Sequence, residues 1–109
     1  MAIFSGDIFA EQYVISSSVT NVTIGSVSGS MSVSGSILPT IDNFHDLGSD
    51  TQRWANLYTG DIQLSNEGSG GNEVDGTTGS WTIQEGEDDL YLLNRKNGKK
   101  YKFKLEEIT

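Results

Sequence analysis

The chain has 109 residues, no Cys, one His and a formal net charge of −8, and its hydrophobic share is 35%, below the roughly 45–50% apolar content of an ordinary globular domain even though Gly is counted differently. Length allows one small domain. Composition excludes disulfides and Cys-based metal sites, and the acidity argues against a nucleic-acid partner, whose phosphates need neutralising.

A chain this poor in core-forming residues and without covalent staples points to self-association, each copy's apolar surface being covered by its neighbours. The charge is uneven. Residues 1–94 hold thirteen acids and one base, Arg53, a balance of −12; residues 95–109 hold six bases and two acids, a balance of +4. The basic end reads as a solvated lysine face of a strand, or as a local contact surface.

Residues 1–15 read as an N-terminal attachment segment of short extended pieces, with Ile3-Phe4 before a Ser5-Gly6-Asp7 turn and Ile8-Phe9 and Tyr13-Val14-Ile15 after it. They lack the basic-then-apolar order of a signal peptide, and no apolar run in the chain approaches the ~18–20 residues of a membrane span. The expectation is a chain made in the cytoplasm.

Residues 16–41 are a Ser/Gly/Val segment without charge. Ser26-Val27-Ser28-Gly29-Ser30 recurs as Ser32-Val33-Ser34-Gly35-Ser36. Composition alone suits a flexible linker. Val27, Met31, Val33 and Ile37, however, all sit at odd positions, which is strand periodicity. One thin apolar stripe cannot hold itself up in water, whereas two or three copies would bury their stripes against each other, as in a fibre shaft. Pro39 closes the segment and biases Leu38 to an extended conformation.

Residues 42–66 hold the rarest residues. Asp46-Leu47-Gly48-Ser49-Asp50 reads as a turn with Gly48 at positive φ and Ser49 or Asp50 as a helix cap. Trp54, Leu57 and Tyr58 at spacings of three and four predict one short helix over 51–58, stable only if Trp54 and Leu57 dock. His45 reads as hydrogen-bonded at the turn; a shared metal on a three-fold axis is the alternative. Arg53 has Asp46 and Asp50 as candidate partners. Asp61-Ile62-Gln63-Leu64 alternates as a strand.

This order, Ile37-Leu38-Pro39, then Asp46-Leu47-Gly48, Arg53-Trp54, Asn56-Leu57-Tyr58, Gly60 and Ile62, resembles a module of tailed-phage fibre and appendage proteins. Gly6–Glu11 and Gly79–Gly86 are similar to segments of fibre-like structural proteins of marine cyanophages. The motif covers about a quarter of the sequence. The resemblance implies an intertwined β-rich homotrimer in a virion, in contact with other virion proteins and possible host surface glycan or protein. In that family many members continue into a self-cleaving chaperone domain, for which the roughly fifty residues after the motif are too few.

Residues 67–109 read as a C-terminal β domain. Residues 67–79 form a solvated, mobile Gly/acid loop whose spacing does not fit an EF-hand. Trp81 and Ile83 share a strand face, Glu85–Asp89 is an acidic turn, and Asn97-Gly98 predicts a two-residue type I′ hairpin over 90–105. Counting outward pairs Leu92 with Phe103 and Leu93 with Lys102.

The expected fold is mainly β: short strands, a C-terminal hairpin and one short helix in an intertwined homotrimer. Leu47, Gly48, Arg53, Trp54, Leu57 and Tyr58 form the joint and trimer interface, and Val27, Met31, Val33 and Ile37 the shaft stripe. Trp81, Tyr91, Lys100 and Lys102 are candidate receptor contacts. No cofactor, metal or catalytic residue is expected. The G-x-S-x-G elbow and the phosphate-loop Lys are absent. A carbohydrate-binding module stacking sugars on Trp81, Tyr91 and Trp54 is the rival. A capsule depolymerase needs two placed carboxylates, and fifteen acids allow such a pair by chance; it is disfavoured because its large groove would have to be built at subunit junctions.

Overall fold

A computed structural model of the chain describes residues 25–109. The expectations for residues 1–15, and for 16–24 of the shaft, lie outside the described residues. The chain divides into two units at Leu38 and Pro39.

In residues 25–38 the expected strand does not form. Val27, Met31, Val33 and Ile37 are all exposed. The repeat is nevertheless structural, because its two copies bend alike at Gly29 and Gly35, with φ of 105° and 119°. A positive φ at every sixth residue interrupts the two-residue alternation that a continuous stripe requires. Among the described residues no second strand supplies backbone partners to offset that interruption.

From Pro39 to Thr109 the described structure is mainly β. Four strands, β1 (Ile62–Ser65), β2 (Ser80–Glu85), β3 (Leu90–Asn94) and β4 (Lys100–Lys102), form one antiparallel meander in the order β1-β2-β3-β4. No helix occurs among the described residues, so none is long and apolar enough to cross a membrane.

The pairings Ile62–Ile83–Leu92–Tyr101 run across the whole sheet, and Leu64–Trp81–Asn94 lie two residues along. Paired residues point to the same side, so one face is apolar. On it the Trp81 ring reaches over β3 to Tyr101, with centroids 5.9 Å apart. The other face carries Gln63, Thr82, Gln84, Tyr91, Leu93, Lys100 and Lys102. The buried residues described lie only there: Thr82, fully enclosed, and, at 9% exposure, Leu93, the one buried hydrophobic residue described.

Thr82 tolerates burial because its hydroxyl is used twice. It donates to Gln63 Oε1 at 2.6 Å and accepts from Arg95 Nε at 2.8 Å. A buried hydroxyl without such partners costs about 1–3 kcal/mol.

The hairpin is present, with its register shifted by two. Leu92 pairs with Tyr101 rather than Phe103, and Leu93 with Lys100 rather than Lys102. The reason is the turn. A type I′ turn needs positive φ at both central residues, and Asn97 is not among the positive-φ residues. The loop has four residues, 95–98. Asn94 N–H donates to the Lys99 carbonyl and Gly98 N–H to the Asn94 carbonyl, both at 2.9 Å. Asn94 Oδ1 accepts from Lys96 and Asn97 N–H at 2.9 and 3.3 Å. A shift of two keeps every side chain on its expected face.

Gly98 holds φ of 74° in open space. Gly98→Val therefore meets backbone strain alone, about 1–2 kcal/mol. The expected result is a melting temperature lower by roughly 5–10 °C, measured by circular dichroism. An unchanged melt would show that the left-handed residue is not required.

Candidate functional site

Three surfaces gather the residues singled out in the sequence. The first is the strap over 42–58. Gly48 has φ of 83°, and Ser49 Oγ accepts the Gln52 N–H at 3.0 Å, as an N-cap would. The expected helix does not follow. Ser49 N–H donates forward to the Gln52 carbonyl at 3.0 Å, the reverse of helix polarity. Trp54 turns back on the bend, where a Cβ on Gly48 would lie 3.4 Å from its Cδ1. Two helical turns needed docking to persist, and Trp54 and Leu57 are each 69% exposed.

Gly48, Arg53 and Trp54 line one shallow cleft with Ser49 and Gln52. Leu47, Leu57 and Tyr58 stand exposed. Arg53 pairs with neither Asp46 nor Asp50, since the only ion pair among the described residues is Lys96–Glu67 at 3.3 Å. His45 lies edge-on to Phe44, with centroids 5.1 Å apart, and its Nε2 is 3.4 Å from Thr40 Oγ1. Among the described residues no three of His, Cys, Asp and Glu gather as a metal site.

The second surface is the loop between β1 and β2. Its neck is closed by Asn66, whose N–H donates to the Gly79 carbonyl at 3.3 Å and whose Oδ1 accepts the Gly79 N–H at 2.7 Å. Inside it, Asn72 Oδ1 accepts from Val74 and Asp75 N–H, and Asn72 Nδ2 donates to Asp75 Oδ1 at 2.7 Å and to the Thr77 carbonyl at 2.9 Å. The expected loose loop is thus a hydrogen-bonded Ω-type loop. The signal was Asn72-x-x-Asp75-x-Thr77, side chains that bond backbone two or three residues on. Beside it Asn66, Asn72, Thr77 and Thr78 meet Leu64 and Trp81 around a cleft of about 360 Å³.

Asp75 Oδ1 accepts from the Thr77 N–H at 3.0 Å and hydroxyl at 2.8 Å. The backbone donor first, then that hydroxyl and Asn72, holds its carboxyl below the ordinary aspartate range. A depressed folded value stabilises the loop above the unfolded pKa of about 3.9, and that contribution disappears as pH falls through the lower folded value. In an NMR titration the Thr77 amide should shift with a midpoint below about 3.9, and Asp75→Asn should abolish the transition. A midpoint at the ordinary value refutes the assignment.

The third surface is the lysine-bearing face. Gln84, Tyr91, Lys100 and Lys102 surround a cleft of about 340 Å³ floored by Leu93. The structure separates the candidate receptor contacts: Tyr91, Lys100 and Lys102 share this face, while Trp81 lies on the other. The Arg95–Thr82–Gln63 chain beneath was not foreseen, because a Thr at an alternating strand position reads as solvent-facing.

No family model, curated protein or solved structure matches the chain.

Proposed function

We propose that the chain is a structural, non-enzymatic piece of a phage virion fibre, spike or appendage. In this reading it works as a homotrimer with other virion proteins, is extracellular in the mature particle, and takes part in host adsorption. The observation that carries the reading is the unfinished core. Leu93 is the one buried hydrophobic residue described, while Leu47, Trp54, Leu57 and Tyr58 are 69–91% exposed. Soluble monomers rarely leave so many large apolar side chains exposed against so small a core. The resemblance of Asp46–Ile62 to the fibre module supplies the class.

Light scattering coupled to chromatography tests it. The expected mass is about three times 11.8 kDa; a monomer refutes the assembly. Trp54→Ala should dissociate the trimer.

The carbohydrate-binding reading is favoured by the cleft at Trp81, where an indole adjoins Asn72 and Thr78. Glycan-array binding that Trp81→Ala removes from a monomeric wild type would select it. Degradation of host capsule would select the depolymerase.

A further inference from the structure

We propose that the strap over 42–61 of one copy docks on the lysine-bearing sheet face of the next. This inference rests on the trimer reading and names the surfaces that meet. Charge carries it first. The strap holds Asp42, Asp46, Asp50 and Asp61 against Arg53 alone, whereas 95–104 holds six bases and no acid. Among the described residues none of these aspartates forms an ion pair, and Lys96 alone of the six bases does. In a chain of charge −8, lysines without carboxylates reflect placement, not a shortage of acids.

Shape agrees. The cleft between Lys100 and Lys102 has an apolar floor, Leu93, and an aromatic wall, Tyr91. Residues two apart on a strand lie about 7 Å apart, so the rim presents two separate cations. The fitting occupant is an apolar side chain flanked by carboxylates. Trp54 follows Asp46 and Asp50 in the strap, and it is 69% exposed; Asp61 instead accepts from Gln84 of its own sheet at 3.2 Å. The opposite sheet face is more apolar, but its paired positions carry no cation and include Glu85, which repels the strap.

Topology favours a second copy over the same one. The strap joins the sheet through Asp61 at β1, the edge remote from β4. Copies set side by side bring the strap of one to the β4 edge of its neighbour. Strap and cleft are different surfaces, so the contact is heterologous, giving a ring where the rotation between copies closes and an open filament where it does not; under the trimer reading three copies close it.

The test is charge reversal in the full chain. Lys100→Glu with Lys102→Glu, and separately Asp46→Lys with Asp50→Lys, should each raise the concentration at which trimers dissociate at least tenfold. Combining all four reversals in one chain should restore assembly, which also shows that the variants fold. Trimers indifferent to either reversal, or a fourfold variant that fails to reassemble, overturn this contact while leaving the trimer standing. A monomeric wild type overturns the trimer reading itself.

Discussion

Gly71→Ala is expected to open the loop between β1 and β2, exposing the Gly76 and Thr77 amides to exchange at least tenfold faster. Gly71 has φ of 104°, and a Cβ there would overlap the Gly76 carbonyl. Two penalties coincide. A left-handed conformation on a non-Gly residue costs on the order of 1–3 kcal/mol, and the overlap is with backbone, which has no rotamer to move away. Relief requires shifting Gly76, whose N–H is bonded to the Asn72 carbonyl at 3.0 Å. The Asn72–Asp75–Thr77 network then loses its geometry as a unit. Gly70 is the control, with φ of 90° and nothing near its Cβ position. Gly70→Ala meets only the conformational penalty, so exchange should rise less. Equal effects at the two sites would show that the close approach is not what holds the loop.

The loop matters beyond itself because it is tied to both sides of its end of the sheet. Asn66 clamps its neck to Gly79, one residue before β2. Lys96, from the β3–β4 turn, reaches Glu67 and the Thr78 hydroxyl at 3.3 and 3.1 Å. An exposed pair of this kind contributes little stability alone; its effect is to hold two loops in register. Loops fixed on a rigid sheet are where contact surfaces are usually built, and here the Trp81 cleft is lined by this loop.

Much of the sheet was legible because its signals are local. Tyr101-Lys102-Phe103 and Trp81-Thr82-Ile83 alternate, and alternation assigns faces whatever the pairing. The register was not legible, because Asn97-Gly98 suits more than one turn and the Asn94 side chain selected the longer one. The short helix was misread for a related reason. The spacing of Trp54, Leu57 and Tyr58 describes a face, but a face gives a helix only when something covers it. In residues 25–38 the alternation of Val27, Met31, Val33 and Ile37 describes a stripe, and a stripe becomes a strand only beside another strand. Both segments carry the apolar period of an element without an element beside them to cover it.

Leu93→Ala is expected to be the most damaging single truncation in the sheet. Removing a buried Leu costs about 2–5 kcal/mol, and small domains hold only about 5–15 kcal/mol in total. At roughly 4–8 °C per kcal/mol the melting temperature should fall by about 10 °C or more. Ile62, on the opposite face and 37% exposed, is the comparison. In an isolated chain Ile62→Ala removes contacts already shared with water and should cost far less. The contrast also reports on assembly. If neighbouring copies cover the lysine-bearing face, Leu93 is enclosed from both sides, and its truncation should lower the melt and weaken the trimer together. If copies instead pack the Ile62–Ile83–Leu92–Tyr101 row against itself, Ile62→Ala becomes the costlier change in the assembled protein. Thermal melts of the two variants, taken above and below the dissociation concentration, separate these arrangements. Only a contact on the lysine-bearing face makes the Leu93 penalty grow with concentration while the Ile62 penalty stays small.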